Sequence, residues 1–451
     1  GGSFANLAAV NAAIGSSFIS STGSTLKTID NGNGTYTVGG LLPPTSGTLP
    51  GGFASNTSGN GLLYHLDAAV GVTTVGSAVT GWADQGAAGN DFAQTDANKQ
   101  PVLQTNGFGG NDLPAIRFDG TVDHSLADQL VLDESTSPRT VVIVNSIAAR
   151  IGNGGIIGQY NSDYGVRESG NGWTHPGNAN DFTNPAESEF YVNGEATGDV
   201  DVQTPHILSA VRAGGTTWSA TGLGNYFYVL PNAPRPYRGD IAEVLVFDRV
   251  LNTAELRILE NSLGAKYGID LPANDYYAGD TAAKGNYDLS MIGVGRADAS
   301  NLVFRAGTDG FGIVSYDLQD GNWLLAGHKS LANDWVLDDL PTDGTARWER
   351  VWYLDETGDL ASATFAFSFA DAGLPEPDSG QPLGLLYSPT NDFEFSIIAQ
   401  NPEVVDGLVL FDLTGAQIQD GYYTLGIIPE PSTLVLTMLA LVALAFCRPS
   451  R

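Results

Sequence analysis

The chemistry-bearing residues of this 451-residue chain are few and clustered. One cluster is WADQGAAGND, which carries Trp82, Asp84, Asn90 and Asp91. Side-chain oxygens spaced along a glycine-rich loop are the donor type that a hard cation such as Ca²⁺ takes, and Trp82 offers a flat apolar body that could stack on a sugar. A second reading stands beside this one: Asp84 and Asn90 hydrogen-bond their own loop as Asx-turns, and Trp82 belongs to the core. Asp119 and Asp123 in FDGTVD pose the same choice. The Ca²⁺ candidates are therefore Asp84, Asp91, Asp119 and Asp123, and the ligand-binding candidates are Trp82, Asp84, Asn90 and Asp91.

Other chemistry finds little support. The five histidines, His65, His124, His175, His206 and His328, form neither an HExxH motif nor an i,i+4 pair, and each reads as a turn or surface residue. No GxSxG elbow occurs. GNGGIIG at 152–158 lacks the phosphate-cradling spacing. Adjacent Asp338 and Asp339 read as a solvated loop, because a glycosidase pair must face across a cleft. The single cysteine, Cys447, lies in a terminal apolar run, so the body has no disulfide or thiol chemistry. Fifty acidic residues against 20 basic ones give a formal charge of −30, a field that repels phosphate backbones and argues against nucleic-acid binding. The chain begins GGSFANLAAV without a basic and apolar leader, so a signal peptide is expected to have been removed or to lie outside this sequence.

The elements that must position these residues are mostly strands. Charged residues make up 16% of the chain and glycine is abundant, a balance that favours short strands and tight turns over long surface helices. Residues 1–60 form a Gly/Ser/Thr-rich segment with one expected hairpin in DNGNGTYTVGG and a linker-like PPTSGTLPGG. Residues 61–270 hold strands such as TVVIVNSI, HILSAVRA and GDIAEVLVFDRV, with a hairpin around Asn193-Gly194. Strands at this spacing predict an antiparallel sandwich or jelly roll. One helix is expected over NTAELRILENSLGAKYG, with Asn252 and Glu255 as a capping box, Leu256, Leu259, Leu263 and Tyr267 as an apolar stripe, and Gly268 at its end. It should pack on the sandwich edge. Residues 271–285 read as a connector. Residues 286–427 read as a second β-sandwich, with ATFAFSFA showing period-two alternation of Phe365, Phe367 and Phe369.

Three resemblances follow. GLLYHLDAA, VTGWADQGAAGNDFAQ, LPAIRFDGTVDHSL and the stretch 238–269 together resemble the laminin-G/concanavalin-A-like jelly rolls of bacterial surface proteins, with Val122 a departure where relatives carry an acid or amide. MIGVGRADASNL, WLLAGH and RWERVWYLDETGD resemble an uncharacterised β-domain that follows such jelly rolls in exported bacterial proteins. Residues 428–451 resemble the PEP-CTERM sorting signal of Gram-negative bacteria: Pro429, Glu430, Pro431 and Ser432 match the motif, and Arg448 and Arg451 supply a basic end shorter than usual. That resemblance implies handling by an exosortase. The run Ser432 to Cys447, as a single helix about 24 Å long, is slightly short of a ~30 Å hydrocarbon core. The arginines beyond it would keep the C-terminus cytoplasmic and the body on the far side of the membrane.

The expectation is an all-β protein of two β-sandwich domains plus a C-terminal apolar helix, exported to the cell surface or extracellular matrix and transiently membrane-anchored. It would be non-enzymatic and would bind extracellular polysaccharide or surface proteins through its jelly roll. A purely structural spacer and a polysaccharide hydrolase or lyase are the alternatives.

Overall fold

The computed structural model describes residues 3–4, 26–30, 36–41, 49–52, 61–121, 126–150, 152, 154–160, 162, 164–167, 188–197, 199–214, 217–225, 236–341, 344–378 and 380–429. Across these residues the chain is all-β, built from large antiparallel sheets and few helices.

The first block is a fourteen-stranded sheet curled around one core. Its central strand, Arg238–Phe247, pairs along one side with Thr140–Ile147. Along the other side it pairs first with Leu113–Asp119 and then with Leu62–Asp67. Successive side chains on a strand point to opposite faces. Ile241, Val244 and Val246 thus enter the curled core with Val141, Ile143 and Leu208, while Val142, Val144, Ala242 and Leu245 line the outer face. Opposite Val144 and Asn145 the register slips from Glu243 to Ile241, leaving a β-bulge at Ala242. A bulge re-aims side chains; here it turns Ala242 and Glu243 together onto the outer face.

The second block has a nine-stranded and a five-stranded sheet facing one another. Ile292, Leu324, Leu354 and Leu425 of one sheet meet Phe311, Phe365, Phe367 and Phe411 of the other. The alternation in ATFAFSFA holds as far as Ser368, where the strand ends and Ser368 caps a one-turn helix that carries Phe369.

The long helix, Thr253–Tyr267, has the expected capping box of Asn252 and Glu255, and it stops at Gly268, whose φ of 60° suits glycine. Its expected position on the sandwich edge is corrected. Eleven of its fifteen residues are buried, so it is a shared layer between the blocks rather than a rim element. Leu256, Leu259, Leu263 and Tyr267 cover the outer face of the first block. Ala254, Ile258 and Ala265 pack against Tyr277, Tyr287, Met291 and Leu325 of the second. The second stripe is short and interrupted by Ser262 and Asn261, so it has the composition of a solvent face while lying in a seam.

Two further stretches enter this seam. Within the linker-like PPTSGTLPGG, Leu49 and Gly51 are buried, and Gly51 exchanges backbone hydrogen bonds with Met291 and Gly293. The 271–285 connector buries Leu271 and Tyr277, and Tyr276 stacks on Trp323 with ring centroids 4.4 Å apart. Ahead of both, Leu26–Asp30 pairs antiparallel with Tyr36–Leu41. At the other end the last strand, Gly421–Ile427, is followed by Ile428, whose N–H donates to the Pro382 carbonyl, and by exposed Pro429. Among the described residues no helix is long and apolar enough to cross a membrane. The expected helix over 432–447 lies outside the described residues, as do Glu430, Pro431, Ser432, Arg448 and Arg451.

Candidate functional site

The outer face of the first block is apolar where the helix covers it and turns polar where the helix ends. Along Leu113–Asp119 the face reads Ala115, then Arg117, then Asp119; along the central strand, in reverse, it reads Ala242, then Asp240, then Arg238. Beyond Gly268 this polar part forms the floor of an open cleft of about 830 Å³. The Gly109-Gly110 turn and Gly268 form one rim. A side chain at Gly109 would collide with the Tyr267 carbonyl, and Gly109 has a φ of +72°, so glycine is required there. Asn193, Gln203 and Thr204 form the opposite rim.

The floor is held in place by hydrogen bonds. Arg117 donates from Nε and Nη2 to the two oxygens of Asp240, both at 2.8 Å, a bidentate fork that raises the guanidinium pKa, with the Asp240 hydrogen bond as the largest cause. Arg238 Nε donates to the Asp119 carbonyl at 2.9 Å. The backbone N–H of Asp119 donates to Asp128 at 2.8 Å. Burial, reinforced by the Asp119 charge, pushes the Asp128 carboxyl up to about 6. Among the described lining residues are two side-chain hydroxyls, Ser146 and Thr204, and no histidine or cysteine.

The loop candidates lie elsewhere on this block. Asp84 accepts from the backbone N–H of His65, Gly86 and Asn90 at 2.7–3.0 Å, and its own N–H donates to Asp91 at 2.8 Å. Asn90 donates to the Leu63 carbonyl at 2.7 Å. These bonds tie the loop to itself and to strand Leu62–Asp67. Trp82 is fully buried and its indole N–H donates to the Asp67 carbonyl at 2.9 Å, so the idea that it stacks on a sugar is corrected: no face of the ring is open. Asp119 accepts from the N–H and hydroxyl of Thr121 at 2.8 and 2.5 Å, and it alone of the described loop candidates borders the cleft. Asp123 lies outside the described residues. Among the described residues no three His, Cys, Asp or Glu side chains converge as a metal-holding group.

Surface placement is also corrected for three histidines. His65, His206 and His328 are buried within strands, and burial lowers His206 to about 4. His124 and His175 lie outside the described residues. His65 belongs to a polar cluster under the helix that sequence reasoning missed. Its Nε2 meets Glu243 Oε1 at 2.7 Å, while Lys266 Nζ reaches Glu243 Oε2 at 2.6 Å and Asp67 Oδ2 at 2.7 Å. The Tyr267 hydroxyl donates to Glu243 at 2.9 Å. Burial would raise the Glu243 carboxyl, but Lys266 and His65 outweigh it and hold the group at about 2. The period-two order of YHLD carries the signal: Tyr64 and Leu66 enter the core, so His65 and Asp67 face the helix.

No protein-family model matches the chain, and no curated protein matches it. Among solved structures, an f-lectin (fucolectin) from the serum of the striped bass Morone saxatilis is 12% identical over 73% of this chain and 80% of that one, with a TM-score of 0.14. At that score the two backbones do not coincide, and the likeness carries no argument about fold or ligand.

Proposed function

We propose that this chain is the folded, non-catalytic binding part of an exported cell-surface or extracellular-matrix protein, with a glycan as the ligand of its first block. In this reading the first block is a laminin-G/concanavalin-A-like jelly roll and the second a β-sandwich. The terminal segment is a PEP-CTERM signal processed by an exosortase after a transient membrane stage. The observation that carries the binding assignment is the cleft at the end of the helix. Its volume lies in the usual range for ligand sites. Its floor offers donors and acceptors locked in one geometry by the Arg117–Asp240 fork, and planar polar groups held this way suit the paired hydroxyls of sugars. The absence of histidine and cysteine among the described lining residues favours binding over nucleophilic chemistry.

The test is a glycan array and a pull-down from extracellular matrix, with and without Ca²⁺, comparing the wild type with an Arg117→Ala/Asp240→Ala double variant. Selective glycan retention lost in the variant supports the reading; no retained glycan or matrix component in either condition ends it. One observation favours a polysaccharide hydrolase: Asp128 at about 6 beside Asp119 is a carboxyl poised to donate a proton. Release of reducing ends that disappears in Asp128→Asn would establish that alternative.

A further inference from the structure

A second, smaller cavity of about 290 Å³ lies between the two blocks, beside the helix. Its first-block wall is the helix-covered cluster of His65, Asp67, Glu243 and Lys266. The facing wall brings Asp288, Ser290 and Asp309 from the second block. The walls therefore carry four carboxylates and one ammonium. Lys266 is held between Glu243 and Asp67, Asn111 donates to Asp288 at 3.1 Å, and Asp309 is bonded by His328 at 3.2 Å and by the Ser290 hydroxyl. A carboxylate has about four lone-pair directions, so these walls are rich in acceptors and short of donors.

The decisive group is His65. It is 4% exposed, it lines the cavity, and its Nδ1 has no hydrogen-bond partner. Glu243 is ionised and can only accept, so the His65 Nε2 facing it carries the proton. In the neutral ring this leaves Nδ1 as a buried lone pair, and a buried polar atom without a partner calls for an occupant that supplies one.

We infer that this inter-block cavity is a binding site for an ammonium-bearing ligand the size of one amino sugar, whose N–H donors go to His65 Nδ1, Asp67 and Asp309. The net negative wall selects a cation, the orphan acceptor selects a donor, and the volume selects a single ring. A neutral sugar satisfies the acceptors but not the charge; an N-acetylated one has lost the ammonium. The site is separate from the cleft and does not rest on the glycan reading of it.

Calorimetric titration of the chain at neutral pH with glucosamine, glucose, N-acetylglucosamine and CaCl₂ tests the inference. Glucosamine should give a saturable heat, and glucose and N-acetylglucosamine none. Asp309→Asn should weaken glucosamine at least ten-fold in a variant whose circular dichroism spectrum shows it folded. The ¹⁵N resonance of His65 Nδ1 in the wild type should shift on adding glucosamine, a readout that stands even if the variant does not fold. Equal binding of glucose and glucosamine, no saturable heat, or an unmoved His65 resonance overturns the proposal. Ca²⁺ saturation that glucosamine does not displace also overturns it, assigning the cavity to a metal instead.

Discussion

Two ion-pair sites share one strand and teach opposite lessons. Asp240 and Glu243 both sit on Arg238–Phe247 and both face the helix side of the sheet, one short of the bulge and one at it. Asp240 forms its fork with an Arg117 side chain that is 54% exposed, in an open cleft. Glu243 is fully buried and bonded by His65, Lys266 and Tyr267 at once. The partners are chemically alike, so the difference lies in solvent. Where the helix covers the sheet, the Glu243 charge is fully buried and its partners become part of the fold. Where the helix has ended, the same kind of pair contributes little to stability and is free to meet a ligand.

The comparison is broken most directly at Glu243. Glu243→Ala leaves Lys266, His65 and Tyr267 facing an empty site, and loss of one partner from a buried pair costs about 3–5 kcal/mol. Urea unfolding should show that loss. A loss below about 1 kcal/mol would mean that water reaches the cluster and that the two pairs are equivalent. Next come the two faces of the helix. Leu259→Ala, facing the first block, and Ile258→Ala, facing the second, should each cost about 2–5 kcal/mol. They should differ in form: Ile258→Ala loosens only the seam, so its calorimetric trace should separate into two transitions, whereas Leu259→Ala lowers the first block itself. One unsplit transition in both variants would show that the blocks unfold as a unit.

The sequence makes the helix, its caps and its first apolar stripe legible because each is a local signal: Asn252 and Glu255 three residues apart, Gly268 after the last periodic residue. The second face was not legible. Ala254 and Ala265 are small enough for a solvent face and Ile258 is a single large apolar residue among them, so only the second block, far along the chain, makes that face a core. The loop WADQGAAGND was legible as a hydrogen-bonded knot, since Asx-turns act over a few residues. The cleft was not, because Arg117 and Asp240 are 123 positions apart and meet only through strand pairing. His65 was misplaced for a similar reason. Its environment is set by a helix two hundred residues later.

The two sides of the seam should also respond to pH with opposite sign. Glu243 is depressed to about 2 against an ordinary ~4.3, so its stabilisation is complete above that ordinary value and is lost as pH falls toward 2. On the second-block side, burial pushes Asp280 up to about 7, helped by the Asp275 charge, and pushes Asp355 up to about 6. These groups hold protons in the fold that the unfolded chain releases near ~3.9, so stability falls as pH rises from about 4 to 7. Melting temperature should therefore peak between about pH 4 and 5 and decline on both sides. Glu243→Gln should flatten the acid limb, and Asp280→Asn the neutral one. An acid limb unchanged in Glu243→Gln would remove that residue from the account.

The smallest expected effect on stability is the most informative about function. Asp240→Asn keeps the size of the side chain, removes its charge and replaces one of the two acceptors of the fork with a donor. An exposed pair of this kind contributes about 0–1 kcal/mol, so unfolding should barely change. Binding should change a great deal, because the Arg117 guanidinium loses the partner that fixes its plane and any ligand must then order it. An unfolding curve superimposable on wild type together with loss of glycan retention would separate the two pairs completely: Glu243 acting on stability, Asp240 acting on binding. A marked drop in stability with retention intact would reverse the assignment. The fork would then be a structural clasp between Leu113–Asp119 and the central strand, and the cleft above it a surface without a ligand.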